Sequence, residues 1–131
     1  MDIKRALLGA VLGMSLCACV ASDEDEVDDG VWRTQSDEIN DITCERVYEC
    51  LESAELAMMQ NLAPELGQSA AECQENMRQK NQNATQPCQP GESYHADLAE
   101  QCIAELPAID CADFKEWLPY GGPASCRQVC S

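Results

Sequence analysis

The amino-acid sequence predicts an all-α protein: a small disulfide-stapled helical bundle that follows a disordered acidic linker. Three observations carry that expectation. From about Ser36 onward apolar residues recur at steps of three and four, and no stretch alternates apolar with polar as a half-buried strand does. Ten cysteines stand in 131 residues, a density typical of small exported domains whose cores are too thin to hold alone. Six acidic residues crowd the seven positions from Asp23 to Asp29, a block that repels itself and buries nothing.

The first helix is read from Ile39, Ile42, Val47, Cys50, Leu51, Ala54, Met58 and Leu62, one apolar stripe on a helix that starts near Ser36. Asn61 to Gly67 holds a proline and a glycine and reads as a connection. Ser69 with Glu72 makes a capping-box pair opening a second helix, with Ala70, Cys73 and Met77 on one side. That helix fades in the polar stretch 79–86, and Pro87, Pro90 and Gly91 break the chain. A third helix is expected over 93–106, with Ser93 as its cap, Tyr94, Leu98, Cys102 and Leu106 at steps of four, and Pro107 as its stop. Asp110 caps a short helix through Trp117, Pro119 ends it, and Gly121-Gly122 turn the chain. Pro123 then suits the first turn of a last short segment carrying Cys126 and Cys130.

The N-terminus reads as an address. Lys4 and Arg5 form a positive start, and Ala6 to Leu16 is an eleven-residue apolar run. A membrane-spanning helix needs roughly 20 residues, whereas a signal segment needs about this many. Leu16-Cys17-Ala18-Cys19 follows and resembles the bacterial lipobox, with leucine three residues before the acceptor and alanine just before it. The resemblance implies that residues 1–18 are a lipoprotein signal peptide and that Cys19 takes a diacylglycerol thioether, then an acyl group on its freed amine. One chain binds a bilayer only marginally, whereas two or more anchor it, at about 0.8 kcal/mol per buried CH₂. Cys17 is the poorer acceptor, because bulky Leu16 would precede it. Val20, not Asp, follows Cys19, which by the sorting rule of Gram-negative bacteria implies the outer membrane. The organisation expected is therefore a signal over 1–18, a lipidated and acidic tether over 19–37, and a cysteine-rich helical domain over 38–131. The acidic run after Cys19 also resembles surface-export signals of some Bacteroidetes lipoproteins.

Charge narrows the partners. The formal net charge is −16, and removal of Asp2, Lys4 and Arg5 with the signal leaves 6 basic against 23 acidic residues. Phosphates would be repelled, so a nucleic-acid partner is excluded, and an anionic bilayer would hold this chain only through a covalent lipid. The partners expected are the membrane, through the lipid on Cys19, and an envelope protein of unspecified kind.

With Cys17 lost and Cys19 acylated, Cys44, Cys50, Cys73, Cys88, Cys102, Cys111, Cys126 and Cys130 remain, an even set suited to four disulfides. Zinc sites use close cysteine pairs twice over, and only Cys126 and Cys130 approach that spacing, so no metal is expected. A hairpin folded about residues 61–62 would set Cys50 beside Cys73, with Cys44 and Cys88 nested outside; these are the pairings expected among about a hundred.

No residue set points to catalysis or to a cofactor. Ser93, His95 and Asp97 suggest a triad, but residues two apart on a helix point about 200° away from each other. Glu45, Glu49, Glu52, Glu72 and Glu75 read as the solvated faces of amphipathic helices. The acidic run fails the calcium-loop register, because Val27 interrupts it and Gly30 is misplaced. Asn83-Ala84-Thr85 matches a glycosylation acceptor only incidentally, and Met58-Met59 is expected to fill the core.

The run Tyr94-His95-Ala96-Asp97-Leu98-Ala99-Glu100-Gln101-Cys102-Ile103-Ala104-Glu105-Leu106, then Asp110-Cys111-Ala112-Asp113, then Pro123-Ala124-Ser125-Cys126-Arg127-Gln128-Val129-Cys130, is similar to a C-terminal pattern of small cysteine-rich lipoproteins of myxobacteria and relatives. It spans roughly the last 40 residues. The resemblance implies an address and a disulfide frame, but no activity. The function expected is a non-enzymatic structural, display or binding role in the cell envelope, lipid-anchored at the outer membrane or cell surface. The alternative is a secreted disulfide-rich inhibitor or effector released by ordinary signal cleavage, and an enzyme ranks below both.

Overall fold

The structure is a computed structural model and describes residues 28–131. The signal segment, Cys17, Cys19 and the start of the tether lie outside the described residues. Among the described residues six α-helices follow in order: α1 (Asp29–Cys50), α2 (Ser53–Leu62), α3 (Ala70–Asn83), α4 (Ala96–Glu105), α5 (Cys111–Trp117) and α6 (Ala124–Arg127). Single 3₁₀ turns sit at Pro64–Leu66, Leu106–Ala108 and Leu118–Tyr120. The chain is all-α among the described residues, as the sequence predicts.

Helix α1 starts earlier than its apolar periodicity suggests. Asp28 is its N-cap, its carboxylate accepting from the Gly30 amide at 2.8 Å, and Asp29 lies in the positive first turn. Residues 29–37, expected in the tether, are thus the first turns of the longest helix. What holds them is tertiary. Trp32 is 1% exposed. Arg33 donates to the carbonyls of Asn81 and Ala84 at 2.7 and 2.8 Å, and Tyr94 donates to Gln35 at 2.6 Å.

Helices α1 and α3 form the antiparallel pair on which the rest is built. Their register runs through Asn81 on Asp37 (2.8 Å), Arg78 on Asp41 (3.2 Å) and the Cys44–Cys73 disulfide. The expected helix across 36–62 is broken at Leu51 and Glu52, both extended, and Glu55 accepts from the Glu52 amide to start α2. Because α2 intervenes, the α1–α3 register is displaced from a fold about residues 61–62. Cys73 therefore meets Cys44, and the expected Cys50–Cys73 pair is wrong. Cys50, at the end of α1, instead reaches Cys111 at the start of α5.

Several local signals hold. Ser69 Oγ accepts from the Glu72 amide at 3.1 Å while Glu72 accepts from the Gln68 amide at 3.2 Å. Asp110 accepts from the Asp113 amide at 2.8 Å and opens α5. Ser93 does not cap α4: its backbone exchanges hydrogen bonds with Ser131 at 2.9 and 3.1 Å, around an isolated bridge between Tyr94 and Cys130, and the helix begins at Ala96.

The core is small. It joins Cys44, Val47, Cys50, Leu66, Cys73, Cys102, Leu106 and Phe114, so half of its members are half-cystines. With so little apolar volume, the covalent links carry much of the stability, at about 2–4 kcal/mol each. Arg46 closes one side: it lies over the Phe114 ring at 5.6 Å, pairs with Glu49 at 3.2 Å and donates to the Ile109 carbonyl.

Candidate functional site

The eight cysteines of the body all pair: Cys44–Cys73, Cys50–Cys111, Cys88–Cys130 and Cys102–Cys126. The expected Cys44–Cys88 pair is wrong as well, for a different reason. The segment around Cys88 leaves the α1–α3 hairpin and folds against the C-terminus, where the Tyr94–Cys130 bridge aligns the two segments. Short sequence distance did not decide these partners. Cys50 and Cys111 are 61 residues apart, yet both sit at helix ends that share the core.

Ser93, His95 and Asp97 are not assembled. Ser93 is engaged through its backbone with Ser131, His95 is the half-buried N-cap residue of α4, its amide on the Val129 carbonyl at 2.8 Å, and Asp97 is exposed in the first turn. Among the described residues no hydrogen bond joins the three side chains. Glu45, Glu49, Glu52, Glu72 and Glu75 are all exposed. Burial pushes the Tyr94 hydroxyl above its ordinary pKa, but its partner Gln35 is no base, so the shift reports packing and not chemistry.

Of the three C-terminal stretches that resemble the myxobacterial pattern, two meet, whereas Cys111 of the middle one bonds to Cys50 of α1. Cys102 and Cys126 join α4 to α6, and buried Ser125 donates to Glu105 at 3.0 Å. Beside this junction lies an open groove of about 480 Å³, lined by Glu105, Ala108, Ile109, Trp117, Pro123, Ala124 and Arg127. Its floor is apolar and its polar groups are one carboxylate and one guanidinium. Its lining residues include no serine, cysteine or histidine, and its one carboxylate, Glu105, accepts from the Ser125 hydroxyl. Among the described residues no group of three or more metal-ligating side chains converges.

A second surface was missed by sequence reasoning. Met58 and Leu62 are 65% and 76% exposed on α2, whereas Leu56 and Met59 of the same helix pack on the core. The expectation that Met58-Met59 fills the core therefore holds for Met59 alone. The signal was present in the sequence: a stripe of Ala54, Met58 and Leu62 beside Leu56 and Met59 is apolar on two faces, and a short surface helix can bury only one.

Fold and frame together define a small helical protein held by four disulfides, and this chemistry fits an extracytoplasmic location. No helix among the described residues is long and apolar enough to cross a membrane. In comparisons with known proteins, no family model, curated protein or solved structure matches the chain.

Proposed function

We propose that this chain is a cell-envelope lipoprotein, anchored through a lipid on Cys19 at the outer membrane or cell surface, with a non-enzymatic display or binding role. The observation that carries the reading is cysteine parity. All eight cysteines from Cys44 onward are consumed in disulfides, so Cys17 and Cys19 stand apart from the frame, at the end of an apolar signal-like run. A free thiol in an oxidising compartment is a liability, and a lipid thioether removes it. The acidic stretch ahead of α1 then acts as a short spacer between bilayer and body. What supports display or binding is that the surface offers apolar contact faces, on α2 and along the groove beside α6.

Mass spectrometry of the mature protein from its native membrane tests this directly. The expected result is an N-terminal peptide beginning at acylated Cys19, with eight oxidised cysteines in the body. An unmodified N-terminus one or more residues beyond Cys19 would instead identify the secreted inhibitor or effector, and eight free thiols would remove the extracytoplasmic argument altogether.

A further inference from the structure

We infer that the outward face of α2 is a docking surface for a protein segment whose apolar side chains are flanked by lysine or arginine. On a helix of 100° per residue, Ala54, Met58 and Leu62 form one outward stripe, with Ala57 and Asn61 alongside, all exposed. The opposite face, Leu56 and Met59, already holds α2 to the core. The stripe is therefore surplus to folding, and two large apolar side chains in water are a standing cost to solubility. Methionine beside leucine also makes an adaptable contact, since an unbranched thioether can repack against differing partners.

Charge says what covers it. Glu52 stands at the helix start, Glu55 flanks the stripe about 60° from Met58, and Glu65 follows in the next turn. Lys115 pairs with Glu55 at 3.3 Å and the two charges cancel, so Glu52 and Glu65 carry the net negative charge beside the stripe. The patch is thus an apolar strip with an acidic rim, complementary to an apolar strip with a basic rim. A second copy is disfavoured, because each chain carries −16 and would present the same acids. A bilayer is disfavoured too, since interfacial helices carry Lys and Arg beside the apolar face and α2 carries neither. The surface also lies at the far end of α1 from Asp28, about 33 Å along a 22-residue helix, and so away from a lipid attached before that residue.

This inference rests on the display-or-binding reading, but not on the lipid. The test uses the full mature chain in detergent and a labelled helix-forming peptide of about 18 residues, leucines on one face and lysines elsewhere. Fluorescence anisotropy is read at about 0.15 M salt, with detergent alone as blank. Met58→Ser/Leu62→Ser is expected to weaken binding about tenfold or more. A peptide with serine in place of leucine should bind both proteins equally weakly, and a leucine–glutamate peptide should bind neither. Met58→Gln alone, with an unchanged circular dichroism spectrum, guards against a folding defect. Equal affinity for wild type and double variant would overturn the inference, leaving bulk charge as the cause. So would preference for the leucine–glutamate peptide, or loss of partition into phosphatidylglycerol vesicles as the sole effect of the double variant. An N-terminus without lipid would refute the anchor and leave this result standing.

Discussion

Replacing Trp32 by alanine separates two descriptions of residues 29–37: a solvated tether, or the opening turns of the main helix. Trp32 is 1% exposed, the largest of the fully buried side chains. A buried indole removes about 150–250 Å² from water, which at about 25 cal/mol per Å² is an upper value of about 4–6 kcal/mol. Partial collapse of the vacated space brings the expected loss to about 3–5 kcal/mol. The indole N–H bond to Asp29 at 3.0 Å and the Arg33 guanidinium 4.3 Å over the ring add a lesser share, near about 1 kcal/mol. Urea denaturation followed by far-ultraviolet circular dichroism measures the loss. In a Trp117→Phe background, the remaining emission should be blue-shifted and should redden on unfolding. A loss below about 1 kcal/mol with unchanged helix content would refute the reasoning and return the segment to the tether.

Other consequences are as specific. Gly67 has φ of 63° and ψ of −150°, a region only glycine occupies at low cost, and a Cβ there would stand 2.8 Å from Glu72. Gly67→Ala should cost about 1–3 kcal/mol in thermal or urea unfolding, more than Gly91→Ala, where the added carbon meets nothing within 4 Å. Proteolysis without reduction should join the Cys50 peptide to Cys111, and Cys50→Ala/Cys111→Ala should lose about 4 kcal/mol by loop entropy for a separation of 61 residues. Glu55 is held below its ordinary pKa first by the Glu52 amide, which outweighs the opposing desolvation, and then by Lys115. Its stabilisation is therefore complete above the unfolded carboxylate value and lost as pH falls through the lowered folded one. Glu55→Gln should lower the neutral plateau of a Tm-against-pH curve and flatten its acid limb, the two proteins converging at low pH.

How much of this was legible depended on the range of the interactions. Ser69-x-x-Glu72 and Asp110 mark helix starts correctly, because a cap is satisfied by an amide three residues away, and Pro123 marks one through its fixed φ just before Ala124. Ser93 failed as a cap because its backbone is claimed by Ser131, a partner 38 positions on in the chain. The break at Leu51 and Glu52 was masked by an apolar stripe that runs on in phase through Ala54, Met58 and Leu62, although those side chains end up facing water.

By itself the sequence determined the all-α class, the even set of eight body cysteines and the local caps, since period, parity and capping are properties of neighbouring residues. Tertiary structure alone decided three things: which cysteines meet, that Trp32 belongs to the interior, and which face of α2 stays exposed. The reason is common to all three. A disulfide needs two Cα atoms about 5 to 6 Å apart, and burial needs a surface from elsewhere in the chain. Both conditions are set by the α1–α3 register and by the docking of the C-terminal segments, and no spacing along the chain encodes either one.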